Sequence, residues 1–285
     1  MKSIQTVSSA VGDETRRHSG TWLEESPTRI ALGSATFLLV LLIWELLIRE
    51  FEIPEYVIPK PSAAIATLVQ EWRLVAYYGW VTSIEILLGF LAGSIGGGLL
   101  GIAVHRFAFL AAALNPLIVF FQIIPKIALA PIFLLWFGFG LGPKILLVAI
   151  IAFFPVTLNT VAGLEATNPD LGHLVQSVGG NRRQFLWRVQ FPNALPHIFA
   201  GLKIAMTFSV IGAVVGEFTG GSEGLGYLIL FSSSQVKTPL LFAALFAIAA
   251  LGLVMYYAIV FLEYVAVPWE RQSKQHQSAT VQWDH

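Results

Sequence analysis

Six apolar stretches, each long enough to cross a bilayer, restrict this chain more than any other feature. The first, residues 30–48, has 19 residues and one charge, Glu45. A helix needs about 20 apolar residues to span the hydrocarbon core, and only a helix or a closed barrel satisfies its own backbone there. The other stretches cover residues 80–104, 110–136, 144–164, 197–217 and 240–265. The expected fold is therefore an all-α membrane protein with six transmembrane helices. Charged residues make up 12% of the chain and the mean hydropathy is +0.72; soluble domains carry about 25% charge. The formal net charge is zero, so nothing points to nucleic acid as a partner. Cysteine is absent, which removes disulfide and thiolate chemistry.

Residues 1–29 are polar and read as a disordered tail, and residues 267–285 as a second tail. The membrane domain is expected at residues 30–266. Residues 30–48 exceed a signal-peptide core and no small-residue cleavage site follows, so a retained helix is expected. Pro54, Pro59 and Pro61 then break the chain before an amphipathic stretch, residues 62–72, suited to the interface. The third span is interrupted by Pro116, Pro125 and Pro131, and the fourth contains Pro155. Six spans put both termini on one side. That side collects ten Lys and Arg, including Arg106, Arg182, Arg183 and Arg188, against four on the other, Lys60, Arg73, Lys144 and Lys237. The positive-inside bias predicts cytoplasmic termini and a cytoplasmic loop at 168–196.

Gly89, Gly93, Gly97 and Gly101 recur every fourth residue. That spacing lines one helix face with small residues and predicts a tight helix crossing, within the protomer or at a dimer seam. Gly96, Gly98 and Gly101 also match a dinucleotide fingerprint, but no strand precedes them, so the match carries no nucleotide site.

The loop at 168–196 is the most structured polar segment. Asn168 can cap a helix opened by Pro169 and Asp170. Leu171, Leu174, Val175 and Val178 fall on one stripe, and Gly179 and Gly180 stop the helix. Asn181 can cap a second short helix bearing Phe185, Leu186 and Val189 beside Arg182, Arg183 and Arg188, with Pro192 and Pro196 ending it before the fifth span. Gly179, nine residues, then Val189-Gln190-Phe191-Pro192 resembles the signature loop of ABC-importer membrane permeases. The family pattern is Glu-Ala-Ala, three residues, Gly, nine residues, Ile-x-Leu-Pro. Here His173, Leu174 and Val175 stand at the Glu-Ala-Ala positions. Ile124-Pro125 to Ala130-Pro131, residues 136–140 and residues 216–227 fit the subgroup for nitrate, sulfonate, taurine and similar small solutes.

The resemblance implies a type I importer permease in a bacterial cytoplasmic (inner) membrane. It implies a homodimer, two cytoplasmic ATPase subunits that carry ATP and Mg, and an extracytoplasmic solute-binding protein. The 168–178 helix would be the coupling helix. An exposed apolar stripe beside arginines, in a loop too short to bury it, fits docking onto a partner; on the residues alone, a juxtamembrane hairpin whose stripe packs on its own helices or on lipid fits as well. The chain has no Walker-type phosphate loop, so ATP hydrolysis is assigned to another chain. No catalytic residue and no metal cluster is expected.

Two other classes bear on the same residues. Gly220-Gly221-Ser222-Glu223-Gly224 matches the hydrolase G-x-S-x-G and, with six spans, is similar to rhomboid-type proteases. A serine nucleophile needs a His within reach; all six His are expected at the cytoplasmic side and Ser222 on the other. The Gly-rich segment otherwise reads as a flexible outer loop. A stand-alone secondary transporter would need inverted repeats, which the sequence does not display. Among charges in the spans, Glu45, Glu85, Lys203 and Glu263 read as helix-end groups reaching the interface. Lys126, between two prolines, and Glu217 read as candidates for the solute pathway. The substrate is not legible: sulfonate, nitrate and vitamin or pyrimidine precursors all fit.

Overall fold

A computed structural model describes residues 27–269. The tails at 1–26 and 270–285, including Lys2, Arg16, Arg17, Arg271 and Lys274 of the topology count, lie outside the described residues. The chain divides into two compact units at Ala63 and Ala64.

In the first unit, α1 (Pro27–Glu50) carries the first apolar stretch. Near its end Glu45 accepts from Arg49 at 2.7 Å and from the Ser62 hydroxyl at 2.8 Å. Helix α2 (Pro61–Gln70), the expected amphipathic stretch, begins in this unit and continues into the second.

The second unit is built on three long helices: α3 (Trp72–Arg106), α6 (Leu141–Glu165) and the later α9 (Phe191–Gly220). Between α3 and α6 lie α4 (Ala108–Ile123), a 3-10 turn (Lys126–Leu129) and α5 (Ala130–Phe137). The third span is thus a bent pair, with an angle of 84° at the break. Pro125 breaks it because it has no N–H to continue the ladder, whereas Pro116 and Pro131 sit inside helical turns. Helices α7 (Asp170–Ser177) and α8 (Arg182–Phe185) and a π turn (Leu186–Gln190) precede α9. Then come α10 (Leu225–Ser234) and α11 (Thr238–Ala266). Five helices are long and apolar enough to span, or six with the bent pair counted as one.

Helix α6 is clasped between α3 and α9, and glycines set both contacts. Gly89, Gly93, Gly97 and Gly101 are all buried against α6. A Cβ on Gly93 would strike the Ala149 carbonyl, and one on Gly97 the Phe153 carbonyl. The tight crossing lies within the protomer. On the other side a Cβ at Gly201 would come within 2.7 Å of Asn159, and one at Gly212 within 2.9 Å of Ile151. Ile86, Phe90, Val148, Ala152, Val156, Ala205, Met206 and Ala213 fill the core between these helices. Because the atoms opposing Gly93 and Gly97 are backbone, they cannot swing away. Gly93→Val is expected to cost about 1–3 kcal/mol or more by overpacking, read as a lower melting temperature in detergent. Gly98→Val, which faces open space, is the matched control and should melt like the parent.

The second loop helix does not end before the fifth span. It continues through Pro192 and Pro196 into α9, so that residues Arg182–Gly220 form one run. The π turn immediately ahead of Pro192 explains this. Phe191 N–H bonds back to Leu186, a wider register that accommodates a residue with no N–H and lets the helix resume.

Candidate functional site

Two polar constellations stand at opposite ends of α3. One is the 168–196 loop. Asn168 Oδ1 accepts from the Asp170 N–H at 2.9 Å, the expected start of α7. The helix ends where Gly179 adopts φ +82° and Gly180 N–H bonds to Val175 O at 2.8 Å. Glycine is needed at 179 because L side chains are strained in that region. Asn181 and Gln184 then exchange side-chain-to-backbone bonds at 2.8 and 2.9 Å, a capping box that starts α8.

The expected stripe divides. Val175 turns toward Gly180 and is half-buried. Leu171, Leu174 and Val178 are exposed, Leu174 at 61% and Val178 at 79%. The ring of Phe185 lies over Gly172, which joins α7 to α8 and leaves the apolar side of α7 uncovered. His173, Arg182 and Arg183 are exposed beside it, while Val189 and Pro192 are half-buried at the start of α9. Arg182, Arg183 and Arg188 form no ion pair among the described residues.

The second constellation lies toward the N-terminal half of α3. Lys144 Nζ bonds Glu85 Oε1 at 2.7 Å, with the Lys side chain 7% exposed and the Glu 0%. Glu85 therefore does not reach the interface, and Lys144, at the start of the fourth span, is buried with it. Buried Lys144 faces the Glu217 carboxyl as well as the Glu85 carboxyl it bonds. Thr82 Oγ1 donates to Glu217 Oε1 at 2.6 Å and accepts from the Leu225 N–H at 2.8 Å. The Glu217 carboxylate also accepts from the Gly226 N–H. Gly224 has φ +111°, and any Cβ there would overlap the Glu217 carboxylate. Tyr77 OH donates to Glu223 Oε1 at 3.0 Å. The Gly-rich segment is thus a tethered turn rather than a flexible loop, and Glu217 is enclosed within the protomer at 1% exposure.

Ser222 is exposed on this turn. His105 closes the far end of α3, about 35–40 Å from the residues that hold the turn, taking 1.5 Å per helical residue. His173 and His197 belong to the loop end as well, and the other three His lie outside the described residues. Lys203 pairs with Glu263 at 2.8 Å. Lys126 sits on the 3-10 turn after the break. Its Nζ donates to Gln122 O at 3.0 Å and stands 4.9 Å from the Phe154 ring centre.

Sequence reasoning missed Thr82 and did not pair Glu85 with Lys144. A signal for Thr82 and Glu85 was present: residues 82, 85, 89, 93, 97 and 101 follow one helix face, so the glycine stripe already placed Glu85 in a helix contact rather than in lipid.

The described residues form a helical membrane protein with five or six candidate spans and a structured, uncovered loop helix at one end. The chain belongs to the family of binding-protein-dependent transport system inner membrane components, whose profile matches residues 85–268. It is a multi-pass membrane permease of the ABC-importer type. It is 36% identical over 240 residues to the formylaminopyrimidine transport permease protein ThiX of Halalkalibacterium halodurans, covering 83% of this chain and 94% of ThiX. It is 35% identical over 243 residues to the riboflavin transport system permease protein RibX of Chloroflexus aurantiacus, covering 84% and 91%. Its fold matches the inward-facing MetNI methionine ABC transporter with a TM-score of 0.59 at 19% identity, over 68% of this chain and 96% of that one.

Proposed function

We propose that this permease is the solute-conducting subunit of an ATP-driven importer. Two copies pair around the path, two separate cytoplasmic ATPase subunits bind ATP and Mg, and an external solute-binding protein delivers the cargo. The observation that carries this reading is the apolar side of α7. Leu171, Leu174 and Val178 stay in solvent on a helix with a capped turn at each end, beside three arginines that form no ion pair among the described residues. A rigid, amphipathic helix of this kind fits a groove on a partner. In this reading both termini and the loop are cytoplasmic, and the Gly221–Gly226 turn faces the binding protein. ATP binding draws the ATPase subunits together, the loops follow, and the paired helices open outward; hydrolysis reverses the change. The chain itself performs no hydrolysis.

Vitamin precursors are favoured as cargo over sulfonate, nitrate or taurine, because the names of ThiX and RibX specify a pyrimidine and a flavin. Affinity purification of the full chain from its own membranes tests the whole reading. An ABC ATPase should be recovered with it, and solute uptake into vesicles should need ATP. Recovery of the chain alone, with uptake undiminished without ATP, would overturn it in favour of a stand-alone carrier.

Lys126 is the proposed contact on the path. It is a half-buried ammonium at a helix break, held by a carbonyl and a ring face and by no carboxylate among the described residues. Charges in spans are costly and are retained at pathways. A solute that presents a lone pair or negative charge completes its shell. Lys126→Ala is expected to weaken the apparent affinity for transported solute about tenfold, the worth of one hydrogen bond to a charged group. An unchanged half-saturation concentration would remove Lys126 from the path.

A further inference from the structure

We infer that Gln190 is a positioning residue that delivers movement of the 168–185 loop to two spans at once, through His105 on α3 and the Leu164 carbonyl on α6. This rests on the coupling role proposed above. Gln190 closes the π turn, Leu186–Gln190. Its Nε2 lies 3.1 Å from His105 Nε2 and 3.5 Å from Leu164 O. An amide nitrogen carries two hydrogens, enough for both. His105 is in the last turn of α3 and Leu164 in the last turn of α6. Three helices therefore meet at one side chain.

The apolar contacts beside it repeat the same junction. Leu186, at the start of the π turn, is buried with Leu164 and Ala194, and Ile102 and Ile198 pack against them. The loop thus enters the bundle through a single seat shared by α3, α6 and α9, and α7 has its principal neighbour in α8 rather than in any span.

The backbone at this seat is adapted to change. A π turn holds one residue more than the α-helix allows, and such turns recur at functional sites. Converting it to α register rotates everything before it by about 100° relative to α9, the angle of one residue in a 3.6-residue turn. That rotation would carry Gln190 off at least one partner. The side-chain bonds therefore tie the register of the loop to the ends of α3 and α6, so a pull on α7 reaches both helices.

The absence of native cysteine allows single labels. Gln176→Cys on the loop and Leu99→Cys on α3 are both exposed. Each takes a nitroxide in the full transporter, purified with its ATPase. The probe is MgATP with vanadate, and the readout is label mobility. Both sites should respond in the parent. With Gln190→Ala the loop label should still respond, while the α3 response should be largely lost. His105→Ala, which leaves the π turn's own side chains in place, should act in the same direction; His105→Asn, which restores an acceptor, should recover part of it. A full α3 response in both Gln190→Ala and His105→Ala would overturn the inference and leave the coupling role intact. No response at the loop label in the parent would overturn both.

Discussion

Lys144→Met should destabilise the permease by about 3–5 kcal/mol, the loss seen when one partner of a buried ion pair is removed. Glu85 would be left at 0% exposure without the ammonium it bonds. Its second oxygen already lacks a hydrogen-bond donor. The Lys144 ammonium also lies 3.4 Å from the Glu223 carbonyl, so the tethered turn should loosen as well. Glu85→Leu combined with Lys144→Met should recover most of the loss, because an apolar pair of similar volume needs no solvation. Thermal melting in detergent at neutral pH measures all three proteins. A Lys144→Met protein that melts with the parent would show that the pair is hydrated in the membrane and contributes little.

Leu174→Asp is expected to separate ATP hydrolysis from transport without harming insertion. Leu174 is 61% exposed and touches no core cluster, so folding has little stake in it. In a docked complex it would be a central apolar contact, and placing a carboxylate there should cost about 2 kcal/mol or more, roughly thirtyfold in affinity for the ATPase. Gly179→Pro should act alike by a different route. Proline holds φ near −65°, and residue 179 needs +82°, so α7 would be presented at another angle. The assay compares ATPase recovered with the permease, and ATP spent per solute imported, for each variant. Parental recovery and parental uptake in both would remove α7 as the docking element.

The loop was legible because its determinants are local. Asn168, Gly179 and Asn181 act on backbone groups within three residues, so their effect can be read without knowing what surrounds them. The interruption at Pro125 was legible for the same reason. The glycine face at 89, 93, 97 and 101 announced a close crossing, but whether it faced α6 or a second protomer depended on packing. Helix α9 ran past Pro192 and Pro196 because one π turn absorbed the missing donor, a non-additive backbone adjustment that residue propensities do not contain.

The chain by itself determined which stretches are apolar enough for the bilayer, where its polar hairpin falls and which small residues line a helix, because hydropathy, periodicity and turn chemistry are properties of consecutive residues. The tertiary structure decided what the isolated charges do. Glu85 and Lys144 are 59 positions apart, and Thr82 and Glu217 are 135 apart. A charge in an apolar helix looks the same in sequence whether it reaches water, lines a path or meets an opposite charge. Only the packing of α3, α6 and α9 distinguishes these, since burial in a low-dielectric interior obliges each charge to find its partner across helices.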